Sequence, residues 1–172
     1  MKKTKIIIDA DVLIHFYKAD SLSILHTIFP TYEYVVLSII LDEEITGKTL
    51  TAIKNHLFFL KNIKVEKWNP SGEILREYVS LHCNYGKGES ACMAYCKFNK
   101  HVIASSNIKD IKAYCEMNDI TYITTLDFLY EAYRKSILTE EECDIFITKV
   151  REKGSNLPDI KIKDYRNRNL YL

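Results

Sequence analysis

Lys5-Ile6-Ile7-Ile8-Asp9, near the amino terminus, carries the clearest structural signal in the sequence. Three consecutive β-branched residues predict a strand that is buried on both faces, because a strand with one face in water would alternate apolar and polar residues. Strands of this kind are typical of parallel sheets in α/β proteins, where helices cover both sides. Asp9 follows directly, and we predict that it ends the strand.

Further strands and helices alternate along the rest of the chain. The additional predicted strands are Tyr34–Leu37, Ile63–Trp68, His101–Ala104 and Ile120–Ile123. The predicted helices run from Asp20 or Ser21 to about Phe29, from Ser38 to Gly47, over Leu50–Leu60, from Ser71 to about His82, from Glu89 to about Phe98, over Ile108–Met117, from Thr124 or Thr125 to about Lys135, and from a Thr139–Glu142 capping box to about Lys153. This order predicts a three-layer αβα domain whose central, mainly parallel sheet has about five strands.

Bulk composition narrows the class of protein. The 172 residues are 47% apolar and 27% charged, which is typical of a globular domain and argues against disorder. The formal net charge of +1 does not by itself predict a nucleic-acid-binding protein. We expect a domain over residues 1–154 and a polar carboxyl-terminal extension over residues 155–172, because Gly154 and Pro158 stop the last helix.

Two further patterns bear on location. No apolar run approaches the roughly 20 residues of a membrane span, and the apolar run after Lys5 is too short for a signal peptide. The five cysteines are an odd number in a chain of this length, which does not resemble a disulfide framework. We therefore expect a cytoplasmic protein without a membrane segment.

Acidic residues follow several predicted strands. In open α/β sheets ligands bind beyond the carboxyl ends of the strands, so acids at those ends are candidate site residues. Asp11 would share a face with Asp9 if the first strand continued. The candidate acids are Asp9, Asp11, Glu44 on the helix after the second strand, Glu89 after a turn bracketed by Gly86 and Gly88, and Asp110 in the turn after the fourth strand.

Carboxylates that converge in one cleft repel one another, and a hard divalent cation relieves that repulsion. Mg²⁺ and Mn²⁺ prefer such oxygen ligands. A bound ion of this kind can activate water and stabilise charge on a phosphoryl group. The pattern therefore predicts a Mg²⁺ or Mn²⁺ site. The acids also have plainer explanations. Glu44 could be a solvated acid on a helix surface, and Glu89 could stabilise the start of a helix through the helix macrodipole.

In four segments the chain resembles the PIN domain, a metal-dependent ribonuclease fold found in many bacterial toxins. Ile6–Ile14 is similar to the opening strand with its first acid, and Val36–Ile45 to the second strand and acidic helix. Gly88–Ala94 is similar to the Gly-Glu-x-x-Ala helix start. Val102–Cys115, leading to Ile120–Ile123, is similar to the segments that close the fold. The resemblance covers about residues 4–153.

The fourth segment departs from the family pattern. The family usually has one or two aspartates directly after the fourth strand, and this chain has Ser105-Ser106-Asn107. Asn107 can offer a neutral oxygen to a metal ion, and Asp110, one helical turn later, can supply an acid to the same cleft. Asn107 is also a good N-cap residue, and capping alone would explain it.

The resemblance implies a metal-dependent endoribonuclease. Asp9, Glu44, Glu89 and Asp110 would be catalytic, and Asn107 would join Asp9, Glu89 and Asp110 at one or two Mg²⁺ or Mn²⁺ ions. Basic side chains near the cleft would position the RNA strand, and the residues expected to do so are Lys87, Lys109 and Lys112. By family analogy, an antitoxin protein and a second copy of the chain are further expected partners.

Two alternatives remain open. The missing acid after the fourth strand fits a catalytically impaired PIN-like domain that acts as a nucleic-acid-binding or scaffold module. Asp9-Ala10-Asp11 also fits a phosphatase of the haloacid-dehalogenase type, in which Asp9 would be the nucleophile. That fold requires an acidic pair at the ends of later strands, and the late strands of this chain are not followed by one.

Overall fold

A five-stranded parallel sheet forms the centre of the structure, a computed structural model that describes residues 4–166 and 168. Within these residues the strands lie in the order β3-β2-β1-β4-β5, and every neighbouring pair is parallel. The predicted α/β class and the sheet of about five strands are confirmed. The strands are β1 (Lys5–Ile8), β2 (Glu33–Leu37), β3 (Lys64–Glu66), β4 (Val102–Ala104) and β5 (Tyr122–Ile123).

Helices flank this sheet in two groups. In one group α4, α5 and α6 pack together, and in the other α1, α2, α7 and α8 do so. A five-residue π-helix spans Ile40–Glu44, and a 3₁₀ helix spans Ile162–Asp164. The α-helices are α1 (Ala10–Lys18), α2 (Leu25–Ile28), α3 (Gly47–Leu60), α4 (Gly72–His82), α5 (Lys87–Asn99), α6 (Ile108–Met117), α7 (Thr125–Arg134) and α8 (Glu140–Glu152).

The first helix begins earlier than predicted. The prediction of a helix from Asp20 or Ser21 to about Phe29 is wrong, since only the four residues of α2 are helical there. Instead, the Asp9 carboxylate accepts a hydrogen bond of 2.8 Å from the Ala10 N–H and acts as the N-cap of α1. An N-cap carboxylate satisfies a backbone donor that a helix leaves unpaired, so α1 starts where β1 stops.

The segment after β2 also differs from the prediction. Ser38 was expected to cap a helix, but its hydroxyl accepts a hydrogen bond of 3.0 Å from the Trp68 N–H. The acidic segment forms the short π-helix, and Gly47 opens α3 with a φ of 61° instead of ending a helix. Likewise Gly88 lies in the first turn of α5 and not in a turn before it.

The sheet is most deeply buried at β1. Ile6, Ile7 and Ile8 each have 0% exposed surface, as expected for a strand between two helical layers. The strand order reverses at β1, with β2 and β3 on one side and β4 and β5 on the other. In doubly wound sheets, the loops that leave such a reversal point diverge and leave a crevice at the carboxyl ends of the strands.

The carboxyl-terminal extension packs on the domain as far as the structure describes it. Ile162 is buried, and its N–H donates a hydrogen bond of 2.9 Å to Asp144 on α8. The Tyr165 hydroxyl donates a hydrogen bond of 2.7 Å to Asp127 on α7. Tyr171 lies outside the described residues, and the predicted division at residue 154 stays a prediction. Over residues 4–166 and 168, no helix has the length and apolar character needed to cross a membrane.

Candidate functional site

A cleft of about 230 Å³ opens at the carboxyl ends of β1 and β4, where the strand order reverses. It brings together Asp9, Glu44, Glu89 and Asn107, which the sequence singled out separately. These residues are at least 18 positions apart along the chain and meet because parallel strands end at one edge of the sheet. The cleft is lined by Asp9, Ala10, Asp11, Glu44, Gly86, Glu89 and Asn107.

Asp9 is the most deeply buried acid of the cleft. Its side chain is held by the Ala10 N–H, and the residue is only 4% exposed. Burial raises the pKa of Asp9 well above its usual range, and the negative charges of Asp11 and Glu89 raise it further. Asp9 is therefore a carboxyl group for which a nearby cation would be strongly favourable.

Asp11 reaches the cleft through the helix and not through the strand. The expectation that it would share a strand face with Asp9 is wrong, because β1 ends at Ile8. Its carboxylate accepts hydrogen bonds of 2.6 Å from the Val12 N–H and 2.7 Å from the Ser106 N–H. Burial raises the pKa of Asp11 to about 6, against the effect of these donors. The Asp-x-Asp spacing was the sequence signal for this residue.

A close approach between the π-helix and α5 positions Glu44. The Glu44 carboxylate accepts a hydrogen bond of 2.8 Å from the Gly88 N–H. A Cβ atom on Gly88 would lie 2.7 Å from Ile40 Cδ1 and 2.8 Å from Glu44 Cγ, so only glycine fits there. Glu44 is exposed, as a solvated helix acid would be, yet its carboxylate is bound to the helix that carries Glu89.

Asn107 lies between two acids. It occupies the N-cap position of α6, but its side chain makes no capping hydrogen bond, so the capping explanation for this residue is wrong. Its amide nitrogen donates to Glu89 and, over 2.7 Å, to Asp110. Asp110 thus joins the site through Asn107, without lining the cleft. Burial raises the pKa of Glu89, and the negative charges of Asp110 and Glu44 add to the increase.

Three side chains behind Asp11 were not predicted as site residues: the hydroxyl groups of Ser106 and Thr125 and the imidazole of His15. The Ser106 hydroxyl donates a hydrogen bond of 2.8 Å to Thr125 Oγ1 and accepts one of 2.9 Å from the Thr125 N–H. His15 Nδ1 lies 2.9 Å from the same Thr125 oxygen. Ser105 and Ser106 stand where the PIN pattern has an acid, and no local pattern points to His15, because its partner is 110 positions away along the chain.

The three predicted RNA-binding lysines differ in their surroundings. Lys87 donates a hydrogen bond of 2.7 Å to Glu43, beside the cleft residue Glu44. Lys112 pairs with Glu116 over 3.8 Å along α6. Lys109 is exposed in the first turn of α6, next to Asp110. All three lie on the surface, and Lys87 and Lys109 adjoin residues of the site in sequence.

Asp127, the acid that follows β5, has a structural role. It is 1% exposed, accepts hydrogen bonds of 2.8 Å from the Thr124 N–H and hydroxyl, and forms an ion pair with Arg168. Because its oxygens are already bound, it does not supply the late acid that a phosphatase of the haloacid-dehalogenase type would want.

The site as it stands is an acidic cleft with a neutral amide inside it. Among the described residues, no group of three or more His, Cys, Asp or Glu side chains has an arrangement that could hold a metal ion. No family model, curated protein or solved structure matches this chain.

Proposed function

We propose that this protein is a cytoplasmic, divalent-metal-dependent endoribonuclease that cleaves RNA phosphodiester bonds in the cleft at the carboxyl ends of β1 and β4. The observation that carries the proposal is the convergence of the Asp9, Asp11, Glu44 and Glu89 carboxylates on one cleft of about 230 Å³. The likeness of four segments to the PIN domain supports RNA as the substrate. The antitoxin partner and the second copy of the chain stay predictions from the same likeness.

The donor atoms of the cleft are of the kind that suits a divalent cation. All of the side-chain ligands offered are oxygens, which Mg²⁺ and Mn²⁺ prefer. Asp9 and Glu89 have raised pKa values because of burial and of neighbouring acids, and a cation would offset both effects. Asp9, Asp11, Glu44 and Glu89 would hold the ion, with Asp110 and the Asn107 oxygen beside them. When bound, the ion lowers the pKa of water and offsets negative charge on the phosphate.

The chain itself supplies orientation. Backbone N–H groups hold three of the acids: Ala10 holds Asp9, Ser106 holds Asp11 and Gly88 holds Glu44. Carboxylates held in this way lose little side-chain freedom when a ligand binds, so more of the binding free energy is kept. Lys87 and Lys109 would supply positive charge to the phosphates of an RNA strand.

Cleavage of labelled single-stranded RNA tests the proposal. Wild-type protein should cleave in Mn²⁺ or Mg²⁺ and not in EDTA, and Asp9→Asn should remove the activity. Asp119→Asn is the matched control, because Asp119 is exposed and has a φ of 53°, a conformation that asparagine adopts readily. Folded wild-type protein that leaves all RNA intact with both metals would contradict the nuclease proposal.

The Asn107 amide favours a second candidate, a catalytically impaired module that binds nucleic acid or serves as a scaffold. The amide donates to both Glu89 and Asp110, so a neutral group already offsets part of the repulsion that a cation would relieve. Such a protein would bind RNA without metal-dependent cleavage. To separate the two candidates, RNA binding is measured by filter binding in EDTA, and Mn²⁺ is then added to look for cleavage. Only the second candidate predicts binding in EDTA followed by no cleavage product in Mn²⁺.

A further inference from the structure

One face of α1 contacts the segments that follow two different strands. Asp11 and His15 are four residues apart on α1, which places them on the same side of the helix. Asp11 accepts a hydrogen bond from the Ser106 N–H in the loop after β4. His15 contacts Thr125, the first residue of α7 after β5. The helix that begins at the cleft is therefore tied to both neighbouring segments at once.

The two segments also contact each other directly. Ser106 and Thr125 are joined by two hydrogen bonds: the Thr125 N–H donates to the Ser106 hydroxyl over 2.9 Å, and that hydroxyl donates to Thr125 Oγ1 over 2.8 Å. Hydrogen bonds thus connect Asp11 to Ser106, Ser106 to Thr125 and Thr125 to His15, and α1 carries both Asp11 and His15. We refer to these four residues as the circuit. Thr125 is 0% exposed and His15 is 4% exposed, so water does not compete for these groups.

The donors and acceptors of this circuit can be assigned without conflict. Ser106 Oγ accepts from the Thr125 N–H and donates to Thr125 Oγ1, and the Thr125 proton is then available to His15 Nδ1 in the tautomer that carries its proton on Nε2. Each hydroxyl donates once and accepts once. This requires a neutral imidazole, and burial, with a smaller effect from Lys18, lowers the pKa of His15 to about 4. A fully satisfied buried network of this kind favours a single arrangement of its members.

We propose that Thr125 and His15 are positioning residues for the candidate site, holding the Ser106 N–H on Asp11 and fixing the loop that presents Asn107 to Glu89 and Asp110. The inference rests on the proposed function for its consequence, which is tighter metal binding. Neither residue lines the cleft, so both act through Ser106. Apolar side chains would fill the same buried space without requiring hydrogen-bond partners, and it is orientation that the polar groups add.

The test compares Thr125→Val, which removes only the hydroxyl, with Thr125→Ser, which keeps it. Thr139→Val is the control, because it makes the same Thr-to-Val change at the N-cap of α8, outside the cleft. Two quantities are measured in each variant: Mn²⁺ affinity by titration calorimetry without RNA, and hydrogen exchange of the backbone amide at position 106 in EDTA. Ser106→Ala serves as a second variant should Thr125→Val fail to fold, since it removes the same hydroxyl contact from a partly exposed position.

We expect Thr125→Val and Ser106→Ala to weaken Mn²⁺ binding about tenfold, the usual effect of losing a group that orients a metal ligand. Exchange of the amide at position 106 should accelerate in both, while Thr125→Ser and Thr139→Val retain wild-type values for both quantities. Wild-type affinity and wild-type exchange in Thr125→Val, or in Ser106→Ala if the former does not fold, would overturn the inference. If wild-type protein binds no Mn²⁺, the proposed function fails, and exchange at position 106 alone decides whether Thr125 positions the loop.

Discussion

The side-chain amide of Asn107 donates a hydrogen bond of 2.7 Å to the carboxylate of Asp110, and the same nitrogen donates to Glu89. One neutral group therefore links the two acids that flank it. An aspartate in its place would bring a third carboxylate to the same point and no donor. Asn107 therefore decides whether this part of the cleft carries two carboxylates or three.

Asn107→Asp should strengthen metal binding and weaken the metal-free protein. The added carboxylate gives a cation a charged ligand, so Mn²⁺ affinity should rise about tenfold or more. In EDTA the loss of the amide and the added repulsion should lower the free energy of unfolding by about 1–3 kcal/mol. Titration calorimetry and urea denaturation measure the two effects. Asn156→Asp, at an exposed position in the extension, controls for the added charge. Unchanged Mn²⁺ affinity would show that Asn107 does not lie at a metal.

The contribution of Asp11 to metal-free stability should fall as the pH rises from about 4 to 6. Burial raises the pKa of Asp11 from 3.8 to about 6, so the folded state binds this proton more tightly than the unfolded state does. The resulting stabilisation is complete below the unfolded pKa and is lost as the pH passes through the folded pKa, a loss on the order of 3 kcal/mol. Mn²⁺ affinity should change in the opposite direction and rise over the same range.

Urea denaturation in EDTA at several pH values checks this dependence. Other groups titrate in the same window, so the informative quantity is the difference between wild type and Asp11→Asn. That difference should grow between pH 4 and 6 in favour of the variant, whereas Asp119→Asn should follow the wild type. A difference that does not vary with pH would contradict the raised pKa of Asp11.

Gly88→Ala should disturb Glu44 and destabilise the fold. The new methyl group would approach Ile40 Cδ1 to 2.7 Å and Glu44 Cγ to 2.8 Å, so the π-helix and α5 must separate. Overpacking of this kind costs about 1–3 kcal/mol. Gly86→Ala is the matched control, because its Cβ would meet Glu44 and Glu89 oxygens only at 3.6 Å, an ordinary contact. Thermal denaturation compares the two, and equal melting temperatures would argue against the close approach.

Arg168→Ala should release the carboxyl-terminal extension from α7. Arg168 pairs with the buried Asp127, donates a hydrogen bond of 3.0 Å to the Tyr122 carbonyl and lies 4.2 Å from the centre of the Tyr122 ring. Its loss leaves Asp127 with fewer partners and should cost about 2 kcal/mol of unfolding free energy. Arg166→Ala, at an exposed position two residues earlier, should cost little. Limited proteolysis should cleave the extension faster in Arg168→Ala alone; equal rates would indicate that Arg168 does not anchor it.

Local patterns in the sequence were sufficient for most of the fold. The apolar run at Ile6–Ile8 predicted a strand buried on both faces, and Thr139 with Glu142 predicted the start of α8, because each signal depends on neighbours a few residues away. The start of α1 was missed because Asp9 was assigned only to the end of a strand, although the same carboxylate also caps the next helix. The π-helix after β2 was missed because its geometry depends on packing against α5.

The parallel αβα architecture and the list of acids at strand ends could be predicted from the sequence, since both follow from local periodicity and from the rule that such ends share one edge. The contacts that those acids make could be found only in the folded structure. Asn107, which the sequence suggested as a helix cap, donates hydrogen bonds to Glu89 and Asp110 instead. Asp11 accepts a hydrogen bond from Ser106, which in turn contacts Thr125 and, through it, His15. These contacts join residues that are up to 110 positions apart, and they exist only because the packed strands and helices bring their ends within hydrogen-bonding distance.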